Sequence, residues 1–169
     1  MLKRVAIFTC IAGVCLASEA DRVSDRDIKR EWRREQERHK KLALEPTPRE
    51  WRVGAVWRFV TTPPSGKAKP AILTVRVTDR PGVSCLRSSG WKDMWRKFVV
   101  IGGTVPFGPP IYQVEGRALQ INLSGDMCDA YDIIEGVFTG RDFTGERTTF
   151  GLGAPRETVG TVRGFCVQR

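Results

Sequence analysis

One histidine occurs among the 169 residues, His39, and it lies in a charged N-terminal stretch rather than among the apolar segments that follow. A Ser-His-Asp or Cys-His nucleophile system inside the later part of the chain is thereby excluded, because each needs an imidazole as base. Zinc fails on the same shortage, since Cys85, Cys128 and Cys166 are widely separated and have no histidine near them. No apolar run reaches the about 20 residues that a helical bilayer span requires. Asp126, Asp129 and Asp132 recur at every third position but lack the glycine and closing glutamate of the 12-residue calcium loop, and turn formation accounts for them more simply. Nothing in the sequence singles out two of Asp126, Asp129, Asp132, Glu135 and Glu146 as a carboxylate couple, so a carboxylate-dependent hydrolase is a minor reading. The expectation is a non-enzymatic protein with no cofactor and no metal.

What is present begins with a leader. Lys3 and Arg4 precede an uncharged, mostly apolar run at 5–17, and Ser18-Glu19-Ala20 places small residues at the −3 and −1 positions of a cleavage site. Residues 1–20 read as a secretory signal cut after Ala20, with a cut after Ala17 as a close relative. Acylation at Cys15, giving an outer-membrane lipoprotein, and an uncleaved anchor are the alternatives. The expected location is periplasmic or secreted.

The formal charge of +9 falls by one to +8 when Lys3, Arg4 and Glu19 leave with the leader. An excess of this sign suits acidic partners, among them an envelope protein, a glycan or an anionic lipid surface, or else it serves solubility alone. Export argues against nucleic acid. Residues 21–48 form a charged arm and a linker at Pro46 and Pro48. Between Ser24 and Leu44 there is no Gly or Pro, acidic residues come early, and Lys40 and Lys41 come late, which reads as a solvated helix. Its few apolar residues, including Ile28 and Trp32 one turn apart, make it a spacer or a docking arm.

From Trp51 onward the period changes to two. Trp57, Phe59 and Thr61 alternate with Arg58 and Val60, Leu73 and Val75 with Thr74 and Arg76, and Leu119 and Ile121 with Gln120 and Asn122. Further segments at 96–101, 111–115, 131–139, 144–152 and 158–168 bring the count to about eight, with turns expected at Gly116, at Gly140 with Asp142, and at Gly153 with Pro155. Residues 49–169 therefore read as one all-β domain. A single antiparallel up-and-down barrel is favoured because closure removes exposed edges, with a sandwich as the alternative. Its interior would be lined by Trp57, Leu73, Val75, Leu119, Ile121 and Phe165. An oxidising compartment allows one disulfide, here Cys85 with Cys128, both in loops; Cys128 with Cys166, or three free thiols, are the alternatives.

Trp51-Arg52-Val53-Gly54 leading into Trp57 resembles the start of a lipocalin-like barrel, where a Gly and a Trp begin the first strand, although the spacing here is Gly-x-x-Trp rather than Gly-x-Trp. The resemblance implies a small secreted barrel and makes Arg163, in the last strand, the arginine that would pack on Trp57. Avidin-like barrels share the strand number.

Two binding modes follow from these residues. In one, the outside of the barrel docks on an envelope protein or polymer through the basic arm with Trp32 and a loop carrying Trp91, Lys92, Trp95 and Arg96, aided by Phe107 between proline-rich turns. Trp91 and Trp95 one helical turn apart either form an exposed aromatic patch or plug the barrel end. In the other mode, a small apolar ligand occupies the interior, since eight strands enclose a space that side chains just fill or that holds one small molecule. The mature chain is expected to begin at Asp21 with one disulfide, and the intact mass of purified protein under oxidising and reducing conditions checks both.

Overall fold

The computed structural model describes residues 25–168 apart from 66–67, 87–90, 92–93, 106 and 126. One helix, α1 (Asp25–Leu44), precedes nine strands: β1 (Val56–Thr62), β2 (Ala71–Arg76), β3 (Arg96–Lys97), β4 (Val99–Gly103), β5 (Ile111–Glu115), β6 (Ala118–Asn122), β7 (Ala130–Thr139), β8 (Asp142–Gly151) and β9 (Ala154–Gln168). They form one antiparallel sheet in the order β3-β5-β6-β7-β8-β9-β1-β2-β4. The two ends of that order, β3 and β4, are neighbours in the chain with only Phe98 between them. A single segment therefore pairs with β5 through one half and with β2 through the other, and the sheet is a nearly closed barrel. Counted around the barrel there are eight segments in sequence order, one of them broken. The ninth strand arises because Phe98 leaves the ladder: its N–H donates to the Pro110 carbonyl (3.0 Å), and its ring is buried against Tyr112, with centroids 4.3 Å apart.

Alternation sorts the side chains as period-two strands must. Trp57, Leu73, Val75, Leu119 and Ile121 all point inward and are buried. Phe165 does not, and its assignment to the interior is corrected here. The inward positions of β9 are Gly160, Val162, Gly164 and Cys166, which leaves Phe165 39% exposed on the outer face opposite Arg58 and Asp142. Glycine at 164 is a packing requirement, since a Cβ there would lie 2.7 Å from the Phe59 ring. The space a side chain from β9 would take is already filled by Phe59 from β1.

The residue at the centre of the barrel comes from outside the ladder. Trp51, held in a turn by its N–H to the Pro48 carbonyl (2.9 Å), places its ring within 5.1–6.5 Å of the rings of Trp57, Phe59, Phe98, Tyr112 and Phe138. Phe143 closes the cluster against Phe59 and Phe138. Tyr112 donates its hydroxyl to the Thr78 carbonyl (2.6 Å), and burial pushes its pKa up to about 12. Near one end of the interior the Arg147 guanidinium holds Asp132 through two bonds, Nε to Oδ1 at 2.8 Å and Nη2 to Oδ2 at 2.6 Å.

The turns fall close to where glycine allows them. Gly116 and Arg117 make a two-residue hairpin with Gly116 at φ 56°, and Gly140 and Arg141 make another. The last hairpin turns at Leu152 and Gly153, so Pro155 belongs to β9 rather than to the turn; it sits exposed near the strand start, where a missing N–H costs little.

The Cys85–Cys128 disulfide joins the segment between β2 and β3 to the loop between β6 and β7 across 43 residues, a closure contributing about 3–4 kcal/mol in the chain-entropy account. Cys166 remains a free, half-buried thiol against the core.

Trp51→Ala is expected to cost about 3–5 kcal/mol, the range for removing a large buried aromatic ring. Phe165→Ala, on the outer face, is expected to cost less than about 1 kcal/mol. Urea unfolding of the two variants measures the contrast.

Candidate functional site

Among the described residues, the outer face of the barrel is covered over β5 to β8. The β5–β6 hairpin anchors the C-terminal end of α1: the Arg117 N–H donates to the Leu42 carbonyl (3.0 Å), and its side chain donates to Glu45 Oε2 (2.8 Å) and to the Phe138 carbonyl (2.7 Å). The bare Cα of Gly116 lets the carbonyls of Leu42 and Glu45 come close. A strap, residues 82–86 together with Trp91, lies on the same side, its first part held by the disulfide and by Asn122 Nδ2, which donates to Ser84 Oγ (3.2 Å) and the Gly125 carbonyl (3.0 Å). This double cover is why Ala118, Gln120 and Asn122, the outward residues of β6, are as buried as its inward ones.

Between the cover and the sheet lies a cleft of about 730 Å³. Its roof is Gln36, Arg38, His39 and Leu42 of α1 with Leu86 and Trp91 of the strap; its floor runs from Ala118 and Gln120 across β7 and β8 to Thr161. The registers place one polar residue per strand in a line: Gln113 opposite Gln120, Gln120 opposite Glu135, Glu135 opposite Glu146, and Glu146 opposite Thr161. Gln113 Nε2 donates to Gln120 Oε1 (2.7 Å), which fixes the Gln120 amide at the buried end of the row. Arg156 closes the far side, its guanidinium 6.0 Å from the Phe150 ring centre.

His39 is the buried polar group of the roof. It is 9% exposed, its ring lies 4.3 Å from that of Trp91, and neither nitrogen has a hydrogen-bond partner among the described residues. Desolvation lowers its pKa below the usual 6.5, with the negative charge of Glu115 acting in the opposite direction.

Several expected site residues stand elsewhere than in one patch. Trp91 and Trp95 are both buried, 9% and 4% exposed, so the exposed aromatic patch is corrected. Trp91 packs beneath α1 against His39, and Trp51, not this pair, joins the aromatic cluster inside the barrel. Arg96 is half-buried beside a second recess of about 310 Å³ that also involves Trp51, Tyr112 and Val77. Phe107 is 42% exposed in its proline-rich turn. Lys92 and the side chains of Ile28 and Trp32 lie outside the described residues. Arg163 stands exposed on the outer face opposite Val60 and Thr144, pointing away from Trp57, whose indole N–H donates instead to the Glu50 carbonyl (3.2 Å).

The acidic candidates separate in the same way. Asp132 is committed to Arg147, Asp129 is exposed, and Asp126 lies outside the described residues, whereas Glu135 and Glu146 face each other across β7 and β8. No group of three His, Cys, Asp or Glu suited to a metal occurs among the described residues. Sequence reading missed the polar row, His39 as part of a site, and Trp51 as the core. The alternation of Leu119 and Ile121 with Gln120 and Asn122 marked outward positions on β6, but the alignment of Gln120 with Glu135 and Glu146 depends on register.

No family model, curated protein or solved structure matches the chain.

Because the folded protein favours neutral His39, the unfolded or undocked form binds more protons between the lowered pKa and 6.5, and the docked state weakens as pH falls through that window. Amide protection factors in residues 36–42, with the intrinsic pH dependence of exchange divided out, are expected to be lower at pH 5 than at pH 7.5, with the difference much reduced in His39→Gln.

Proposed function

We propose that this is an exported, non-catalytic accessory protein that docks on an anionic envelope polymer through the outer face of α1. The observation that carries the reading is the charge on that face. Arg30, Arg33, Arg34, Lys40 and Lys41 are all exposed there, with Glu37 as the one exposed acid among the described residues of the helix. Among its described residues the face has a single large exposed apolar residue, Leu44, at 88%. An interfacial membrane helix needs a continuous apolar side to enter a bilayer. An electrostatic surface of this kind suits a hydrated polyanion instead.

The rest of the molecule supports this role by rigidity. The closed barrel and the Arg117 anchor hold the basic face outward instead of leaving it on a floppy tail, which lowers the entropy lost on docking. The disulfide agrees with an oxidising compartment, and no helix among the described residues is long and apolar enough to cross a membrane. Ring packing around Trp51 weighs against a ligand carried in the interior.

A second reading, docking on a protein, is favoured by the face of β4, β2, β1 and β9, which no described element covers. Ile72, Ile101 and Phe165 are 50%, 49% and 39% exposed there, interleaved with the exposed Arg58, Arg76 and Arg163. Aromatic and aliphatic groups among arginines are the composition of protein interfaces.

Cosedimentation with an anionic polysaccharide at rising salt tests the first reading. Binding is expected to fall at least tenfold between 50 and 300 mM salt, and by a similar factor in the combined variant Arg33→Glu, Arg34→Glu, Lys41→Glu, while Arg58→Glu with Arg76→Glu leaves it unchanged. Loss in the second variant alone transfers docking to the sheet face, and indifference to salt removes the electrostatic reading.

A further inference from the structure

We infer that the cleft beneath α1 is a binding site for an uncharged, hydroxyl-rich ligand, a short oligosaccharide, distinct from the basic face that docks the protein. Three observations carry this beyond the docking reading and do not depend on it.

The first is the polar row. In a β-sheet adjacent strands lie about 4.8 Å apart, so the line from Gln120 through Glu135 and Glu146 to Thr161 extends about 14 Å. That is a track for an extended chain of linked rings rather than a point site for one ion. The groups on it are an amide, two carboxylates and a hydroxyl, which both accept from and donate to hydroxyls.

The second is charge balance. Glu135 and Glu146 on the floor are matched by Arg38 from the roof and Arg156 from the rim, all four bordering the same cleft. A cationic ligand would face the arginines and an anionic one the glutamates; a neutral polyol satisfies both sets at once. The balance also separates this surface from the outer side of α1, where the exposed charge of the described residues is predominantly positive.

The third is the buried imidazole. His39 borders the cleft, is nine-tenths buried, and has neither ring nitrogen engaged by the described residues. A neutral imidazole offers one donor and one acceptor, the complement of a sugar hydroxyl. Leaving such a group unsatisfied costs about 1–3 kcal/mol, which a bound hydroxyl would recover. Beside it the Trp91 edge and Phe150 supply apolar surface for the C–H faces of the rings. The volume of the cleft falls in the range of about 300–1,000 Å³ typical of small-molecule sites.

The test is titration of the full mature protein with a panel of uncharged di- to hexasaccharides of glucose, galactose, mannose and N-acetylglucosamine, followed by two-dimensional NMR and calorimetry. Saturable binding of at least one, with shifts confined to β6–β9, residues 36–42 and the strap, is the expected result. Glu146→Gln and Arg156→Ala, both exposed and expected to melt like the parent, should each weaken it at least tenfold, and Thr161→Val more modestly. Arg33→Glu with Arg34→Glu should leave it intact, which keeps a failure here distinct from a failure of polymer docking. The inference is overturned if no member of the panel binds, if a polycation such as spermine binds the cleft in place of the sugars, or if sugar binding is unaffected by both Glu146→Gln and Arg156→Ala.

Discussion

Trp51 sets the character of this molecule. Its ring meets five other aromatic rings from four separate parts of the chain, and it does so from a turn ahead of the first strand, so it is inserted into the barrel rather than laid along its wall. A small barrel lined by aliphatic residues alone would leave a hollow. This indole, with Phe59 and Phe138 packed about it and Phe143 against those two, makes the interior an aromatic core held by dispersion and edge-to-face contact.

The outside is divided by the same chain that closes the sheet. Over β5 to β8 the surface is roofed by α1 and the disulfide-held strap, so outward residues there are buried or line a cleft. Over β4, β2, β1 and β9 no described element covers it, and apolar side chains alternate with arginines. Three surfaces of different chemistry result: a basic helix face, a balanced polar cleft beneath it, and an apolar sheet face with cationic punctuation. The anchor at Gly116 and Arg117 links the first two, because the contacts that hold α1 to the hairpin also set the height of the roof above the polar row.

The legibility of these features in the chain followed their range. Which residues of β1, β2 and β6 point inward could be read from neighbours two positions apart, and Trp57, Leu73, Val75, Leu119 and Ile121 are indeed inside. Phe165 failed the same reading because hydrophobicity and parity disagree in β9: the inward positions are Gly160, Val162, Gly164 and Cys166, small residues that make room for Phe59 and Phe143 from other strands. Trp91 was visible as an aromatic in a cationic loop, yet its burial depends on a helix about fifty positions earlier. His39 looked like one more polar residue of a solvated helix until the strap placed an indole against it.

Alternation, turn chemistry and cysteine placement were properties of the sequence alone, and they determined an antiparallel barrel-forming sheet with loop cysteines available for a bridge. These depend on a few adjacent residues, since the period of a strand and the φ of a glycine turn are set locally. The filled interior, the break at Phe98, and the alignment of Gln120, Glu135, Glu146 and Thr161 were decided only in three dimensions. Register sums loop lengths and bulges over the whole circuit of the barrel, and side-chain volume at one position is compensated by a vacancy on another strand, so neither can be read from any single stretch of chain.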